Sequence, residues 1–281
     1  AVTGLSALVG SEPLDTWKDY LTFHAIEHFA SVLPEPFGTE VFGFYGTALS
    51  GVPQRRERWK RAVDATSTAL GDAVGKLYVA RYFPATEKAR IEVMVRNLIA
   101  AFRTRIDGLA WMAPETKAKA KAKLDVLKVG VGYPDQWVDY SPLEIVKGDA
   151  FGNLERVEVF NLRWNLHKLG RPVDRSEWVM TPQTVNAVNL PAMNAMNFPA
   201  AILQPPFFDP QRPAAMDYGA IGATIGHEIS HSFDDQGALF DAEGKLANWW
   251  TEADAAYFRA SGELLIKQYD AYRPFPDVQV S

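Results

Sequence analysis

The 281-residue chain has no cysteine. A disulfide framework and a thiol nucleophile are therefore excluded. No run of 18 apolar residues occurs, so nothing reads as a membrane span and no membrane contact is expected from this segment. The first residues, Ala1-Val2-Thr3, lack the basic start of a signal peptide, and Pro13-Leu14-Asp15 soon follow. Any targeting segment is expected outside this chain. An excess of basic residues is also missing. The net charge of −5 argues against nucleic acid as a partner. There is no G-x-S-x-G elbow and no G-x-G-x-x-G turn. Gly71-Asp-Ala-Val-Gly75-Lys76 has only three residues between its glycines, and Leu77 where a phosphate loop needs Ser or Thr.

What is present suffices for a packed core, since 47% of the residues are hydrophobic and 12% aromatic. Charge is uneven. Residues 51–128 hold 17 Lys/Arg against 8 Asp/Glu, whereas residues 176–281 hold 5 against 13. Two lobes of opposite sign would account for this. Apolar spacing predicts helices over 14–33, 54–83 and 86–111, and a fourth over 114–128 with Pro114 at its first position. Lys117, Lys119, Lys121 and Lys123 step by two, so they scatter around that helix and are expected in solvent. Gly130, Gly132, Pro134 and Asp135 read as a break, which divides the chain into a helical lobe, 1–134, and a second lobe, 135–281. Beyond it, 179–187 and 197–208 read as extended, and 218–234 and 251–269 as helices. The expected fold is mainly α with a small β component.

The chemistry concentrates in His227-Glu-Ile-Ser-His231. On a helix the two histidines lie on one face, one turn apart, where two imidazoles can bind one metal ion. Asp234, three residues on, falls on the same side and can accept the free N–H of a ligand imidazole. Ile221, Ile225, Ile229 and Phe233 form an apolar stripe. Gly219, Gly222 and Gly226 form a stripe without side chains, which predicts close backbone packing. A buried helix with two histidines, a glutamate and an aspartate needs partners for its polar groups, and a metal supplies one. His24-Ala-Ile-Glu27-His28 is the inverted zinc-peptidase arrangement. No carboxylate follows it at a supporting offset, and Phe23, Ile26 and Phe29 suggest core packing instead.

Beyond the pentapeptide, several segments are similar to the neprilysin and endothelin-converting-enzyme family of zinc metallopeptidases. They include Val185-Asn186-Ala187, Phe198-Pro-Ala-Ala-Ile-Leu-Gln-Pro-Pro-Phe-Phe208 and Ile225-Gly-His-Glu-Ile-Ser-His-Ser-Phe-Asp-Asp-Gln-Gly237. Asn248-Trp-Trp-Thr251, Ala73-Val-Gly-Lys-Leu-Tyr-Val79, Leu109-Ala-Trp-Met112 and Gly132-Tyr-Pro-Asp135 extend the similarity over nearly the whole chain. The resemblance implies a two-lobed protein, with a thermolysin-like zincin catalytic lobe and a helical lobe. It implies one catalytic Zn2+ bound by His227 and His231, Glu228 as general base acting on zinc-activated water, and Asp234 supporting a ligand. Asn186 and Ala187 would hold the backbone of a peptide substrate.

The family's third ligand, a Glu, is expected beyond Ser281. Glu252, 21 residues past His231, falls where the family has no ligand. This fragment alone is therefore expected to be inactive and to bind zinc poorly. Its partners would be the remaining parts of the polypeptide or a companion fragment. Val188-Asn189 replaces an aromatic pair, Asn194-Ala195-Met196 replaces Asn-Glu-Ile, and Asn197 replaces Val. These changes bear on specificity, and they admit an alternative: an inactive member that binds peptides or partners. The absence of cysteine fits a bacterial member, and the resemblance implies a periplasmic or secreted enzyme.

Overall fold

The computed structural model describes residues 2–280. Its α-helices are α1 (Val2–Ser11), α2 (Leu14–Phe29), α3 (Glu35–Val41), α4 (Arg58–Ala69), α5 (Gly71–Tyr82), α6 (Ala85–Asp107), α7 (Pro114–Asp125), α8 (Ala150–Leu166), α9 (Ala214–Gly219), α10 (Ile221–His231) and α11 (Glu252–Asp270). A π-helical turn, Phe42–Ala48, continues α3. Three short strands, β1 (Lys128–Gly132), β2 (Val188–Leu190) and β3 (Ala195–Pro199), form one sheet. The expected class, mainly helical with a small β component, holds.

Two compact units interleave along the chain. The first combines the described residues up to Gly71 with Asp139–Arg171, and the second combines Asp72–Val138 with the residues from Pro172 onward. The chain thus changes unit three times, after Gly71, Val138 and Arg171.

In the second unit, β3 is central. It pairs in parallel with β1, Lys128 opposite Ala195, and antiparallel with β2, Leu190 opposite Ala195. All five β3 residues are buried. β1 is missing from the sequence reading, which gave Lys128 to a helix and Gly130 and Gly132 to a break. Val129 and Val131 supply the β-branched positions. A Cβ at Gly130 would come within 2.6 Å of the Trp178 ring, so this glycine admits a close neighbour inside a strand. Gly132, at φ +79°, ends the strand.

Other boundaries also differ. The helix expected over 54–83 is two helices, because Leu70 leaves helical geometry at φ −125°, ψ 42°. The one expected over 218–234 breaks at Ala220 (φ −103°, ψ −92°) and ends at His231. Residues 179–187 form no strand, and the extended run from Asn197 stops at Pro199 and turns. The core of this unit joins Phe83 and Ile91 to Met196, Phe198, Leu203 and the three isoleucines of α10. The first unit is thinner. Ala30 and Val157 are its buried apolar residues among those described, and α2 has no buried residue.

Candidate metal centre

The site is built on α10. Ile221, Ile225 and Ile229 are each 0% exposed and fasten one helix face into the core, each contributing about 1.5–3 kcal/mol by burial. Phe233, just past the helix end, packs between Phe102 and Trp249. The isoleucine stripe therefore does what the sequence predicts. The glycine stripe does so only at Gly222, which is buried and where a Cβ would meet the Asp217 carbonyl oxygen at 3.4 Å. Gly219 is exposed, and a Cβ at Gly226 would reach only Phe102, at 4.0 Å. Side-chain packing, more than close backbone approach, seats this helix.

With that face fixed, His227 and His231 stand on the more open side of the helix, and Glu228 is buried at the edge of the isoleucine face. One ligand atom from each lies within 4.8 Å of the others, and this is the one such group of three among the described residues. The His227 and His231 Nε2 atoms are 3.0 Å apart. A tetrahedral zinc with bonds of ~2.0–2.1 Å holds two donor nitrogens roughly 3.3 Å apart, so the pair stands close to the separation a shared ion requires. Asp234 Oδ2 lies 2.7 Å from His231 Nδ1. As acceptor it places the proton on Nδ1 and leaves Nε2 with a lone pair for a metal. The donor set thus fits zinc.

Asp234 is not on the helix, as the sequence reading had it. It lies in the turn after it, where its Oδ1 accepts from Gln236 N at 3.0 Å and Gly237 N at 2.8 Å. The carboxylate is thereby held on one edge by the turn while the other faces the imidazole. Glu228 is buried, and burial pushes its carboxyl pKa up against the opposing pull of His231, His227 and an Asn189 backbone hydrogen bond.

Beside α10 runs β2, an edge strand paired only through β3. Asn186 and Ala187 immediately precede it. Asn186 is exposed, and its Oδ1 accepts from Ala187 N at 2.9 Å. Asn189, one of the departures from the family pattern, bridges strand and helix. Its Nδ2 donates to Glu228 O and to Ser232 Oγ, both at 2.8 Å. Sequence reasoning did not anticipate this tether.

Nor did it anticipate Lys123, expected in solvent but 2% exposed. Thr116, Ala120, Lys123 and Leu124 form the buried face of α7, and that i, i+4, i+7, i+8 spacing was the available signal. Lys117 and Lys121 instead reach Asp107.

Glu252 opens α11, is exposed, and stands outside the three-residue group. His24 and His28 are exposed as well. His24 Nδ1 lies 3.0 Å from Glu27, and His28 Nε2 lies 3.4 Å from Glu158. Phe23 and Ile26 are exposed, so the core packing expected around them is absent.

Two family models, both described as Peptidase family M13, match the chain, one over residues 1–134 and the other over 186–280. Neprilysin-3 of Drosophila melanogaster is 35% identical over 265 residues, which cover 92% of this chain and 34% of that protein. An endothelin-converting enzyme homolog of Locusta migratoria is 35% identical, covering 91% and 36%. The crystal structure of the Mycobacterium tuberculosis zinc metalloprotease ZMP1 with an inhibitor superposes at a TM-score of 0.89 and 49% identity, over 96% of this chain and 41% of that one. The chain spans about a third to two-fifths of the length of these relatives. Among the described residues, no helix is long and apolar enough to cross a membrane. With both M13 models on one chain and the histidine pair, glutamate and aspartate assembled on α10 and its following turn, the chain belongs to peptidase family M13.

Proposed function

We propose that this chain is part of a zinc metalloendopeptidase that cleaves peptides or oligopeptides. The observation that carries this reading is the convergence of His227 and His231 Nε2 beside the Glu228 carboxylate, with Asp234 behind His231. His227 and His231 would hold the ion, and a Glu from the remainder of the polypeptide would complete the protein ligands. Bound zinc would supply Lewis-acid chemistry, polarising a peptide carbonyl and acidifying water. Glu228 takes the proton as water attacks and returns it to the leaving amine. Its buried setting raises its proton affinity, which suits a base. The edge of β2 can accept a peptide as a further strand, bound by its main chain. Asn186 and Ala187, at the entry to that strand, would contact the substrate backbone.

Glu228→Gln in the full-length protein tests this reading. Zinc should remain while peptide cleavage is lost, and full activity in the variant contradicts the role of Glu228. Zinc and peptide binding by the wild type without turnover would favour the inactive, peptide-binding alternative.

A further inference from the structure

We infer that Lys123 is a positioning residue of the metal centre, holding the turn after α10 so that Asp234 can orient the His231 imidazole. The inference rests on the metallopeptidase reading above. Lys123 sits on α7, far from His231 in sequence, yet its ammonium ends beneath that turn. Nζ donates to Gly237 O at 2.9 Å and to Phe240 O at 2.8 Å. It also lies 5.6 Å from the centre of the Trp249 ring, and Trp249 Nε1 donates to the same Gly237 carbonyl at 3.3 Å. A buried ammonium is costly unless hydrogen-bonded, and an apolar side chain would fill the space without that cost. What the cation adds is a grip on two carbonyls of one turn.

That turn carries Asp234. The amide of Gly237, whose carbonyl Lys123 holds, donates to Asp234 Oδ1 at 2.8 Å. Asp234 Oδ2 in turn meets His231 Nδ1 at 2.7 Å. The relay therefore runs from Lys123 through Gly237 and Asp234 to the imidazole. Its middle is tightly set, because a Cβ at Gly237 would overlap the His231 and Ser232 carbonyl groups at the end of α10. Its base is anchored too. The Lys123 carbonyl accepts from Asn194 Nδ2 at 3.0 Å, while neighbouring Ala120 and Leu124 are in the core. Burial pushes the Lys123 pKa down to about 8, against the pull of Asp241 and Asp234.

A purely structural lysine would affect folding and leave metal affinity to other groups. The distinguishing experiment measures zinc affinity of the full-length protein by chelator competition at pH 7, for wild type, Lys123→Met, Asp234→Asn and the double variant. Partners of metal ligands typically contribute 10–100-fold in affinity. Lys123→Met should weaken zinc binding about 10-fold in the wild type and by less than about twofold in the Asp234→Asn background, because both act through one carboxylate. Unchanged affinity in Lys123→Met, or losses that multiply in the double variant, would overturn the inference. If Lys123→Met does not fold, Lys123→Gln, which keeps one donor, is read in the same cycle with the same criteria. Absence of zinc binding by the wild type would sink the metallopeptidase reading itself, whereas tight wild-type binding with an unaffected Lys123 variant sinks only this inference.

Discussion

Helices α2 and α10 each carry two histidines and a glutamate in a zinc-peptidase spacing, and only one of them assembles a site. On α10 three isoleucines lock one face into the core, and the opposite face brings two imidazole nitrogens to 3.0 Å. On α2 no residue is buried, and each histidine pairs with a separate carboxylate, Glu27 or Glu158. Spacing along a helix sets which side chains can meet. Packing behind the helix and a carboxylate beyond its end decide which do, as Asp234 does for His231.

The comparison can be broken at several depths. The largest effect is expected at Glu228. Its replacement by Gln in the full-length protein should lower kcat for a peptide substrate by roughly 10³-fold, with zinc content by metal analysis unchanged. Next comes Asp234→Asn, which should weaken zinc binding ~10–100-fold in chelator competition. Wild-type affinity there would show that the α10 site needs no carboxylate behind His231.

A more distant cut removes the clamp that joins the start of α11 to the start of α7. Buried Asp254 accepts from Ala113 N at 3.0 Å and Thr116 Oγ1 at 2.5 Å. Asp254→Ala should cost roughly 2–3 kcal/mol at neutral pH, since it strands the buried Thr116 hydroxyl and the half-buried Ala113 amide. Burial alone would raise the Asp254 pKa. Hydrogen bonds from Thr116, Thr251 and the backbone of Ala113 and Thr251 outweigh it and hold the carboxyl below its ordinary 3.8. A depressed folded pKa contributes stability above the unfolded value and loses it as pH falls through the folded one. The gap in Tm between wild type and variant should therefore be full above about pH 5 and narrow below about pH 4. A gap independent of pH would remove Asp254 as its cause. The smallest effect is expected on α2, where replacing His24 and His28 together with Ala should leave zinc content unchanged. Loss of zinc there would reverse the comparison.

Much of this was legible in the chain. The isoleucine stripe, the histidine pair and Asp234 follow from spacing, and Pro114 and Thr251 mark the starts of α7 and α11 as expected. Local patterns failed where tertiary neighbours decided. Gly130 reads as a break until Trp178 is seen pressing on it, and β1 forms only because β3 is there to pair with it. Lys123 reads as solvated because charge suggests water, yet the carbonyls of a turn more than a hundred residues away receive it. Asn189 reads as a change on a substrate strand, and its role as a tether depends on α10 lying beside that strand. α1, α3 and α8 are absent from the sequence reading.

The most direct test is the anomalous difference map at the zinc absorption edge from a crystal of the full-length protein grown with zinc. The account predicts one strong peak within bonding distance of both His227 Nε2 and His231 Nε2, and none at His24 and His28. A map without a peak at the α10 pair, or with its peak on α2, would contradict it.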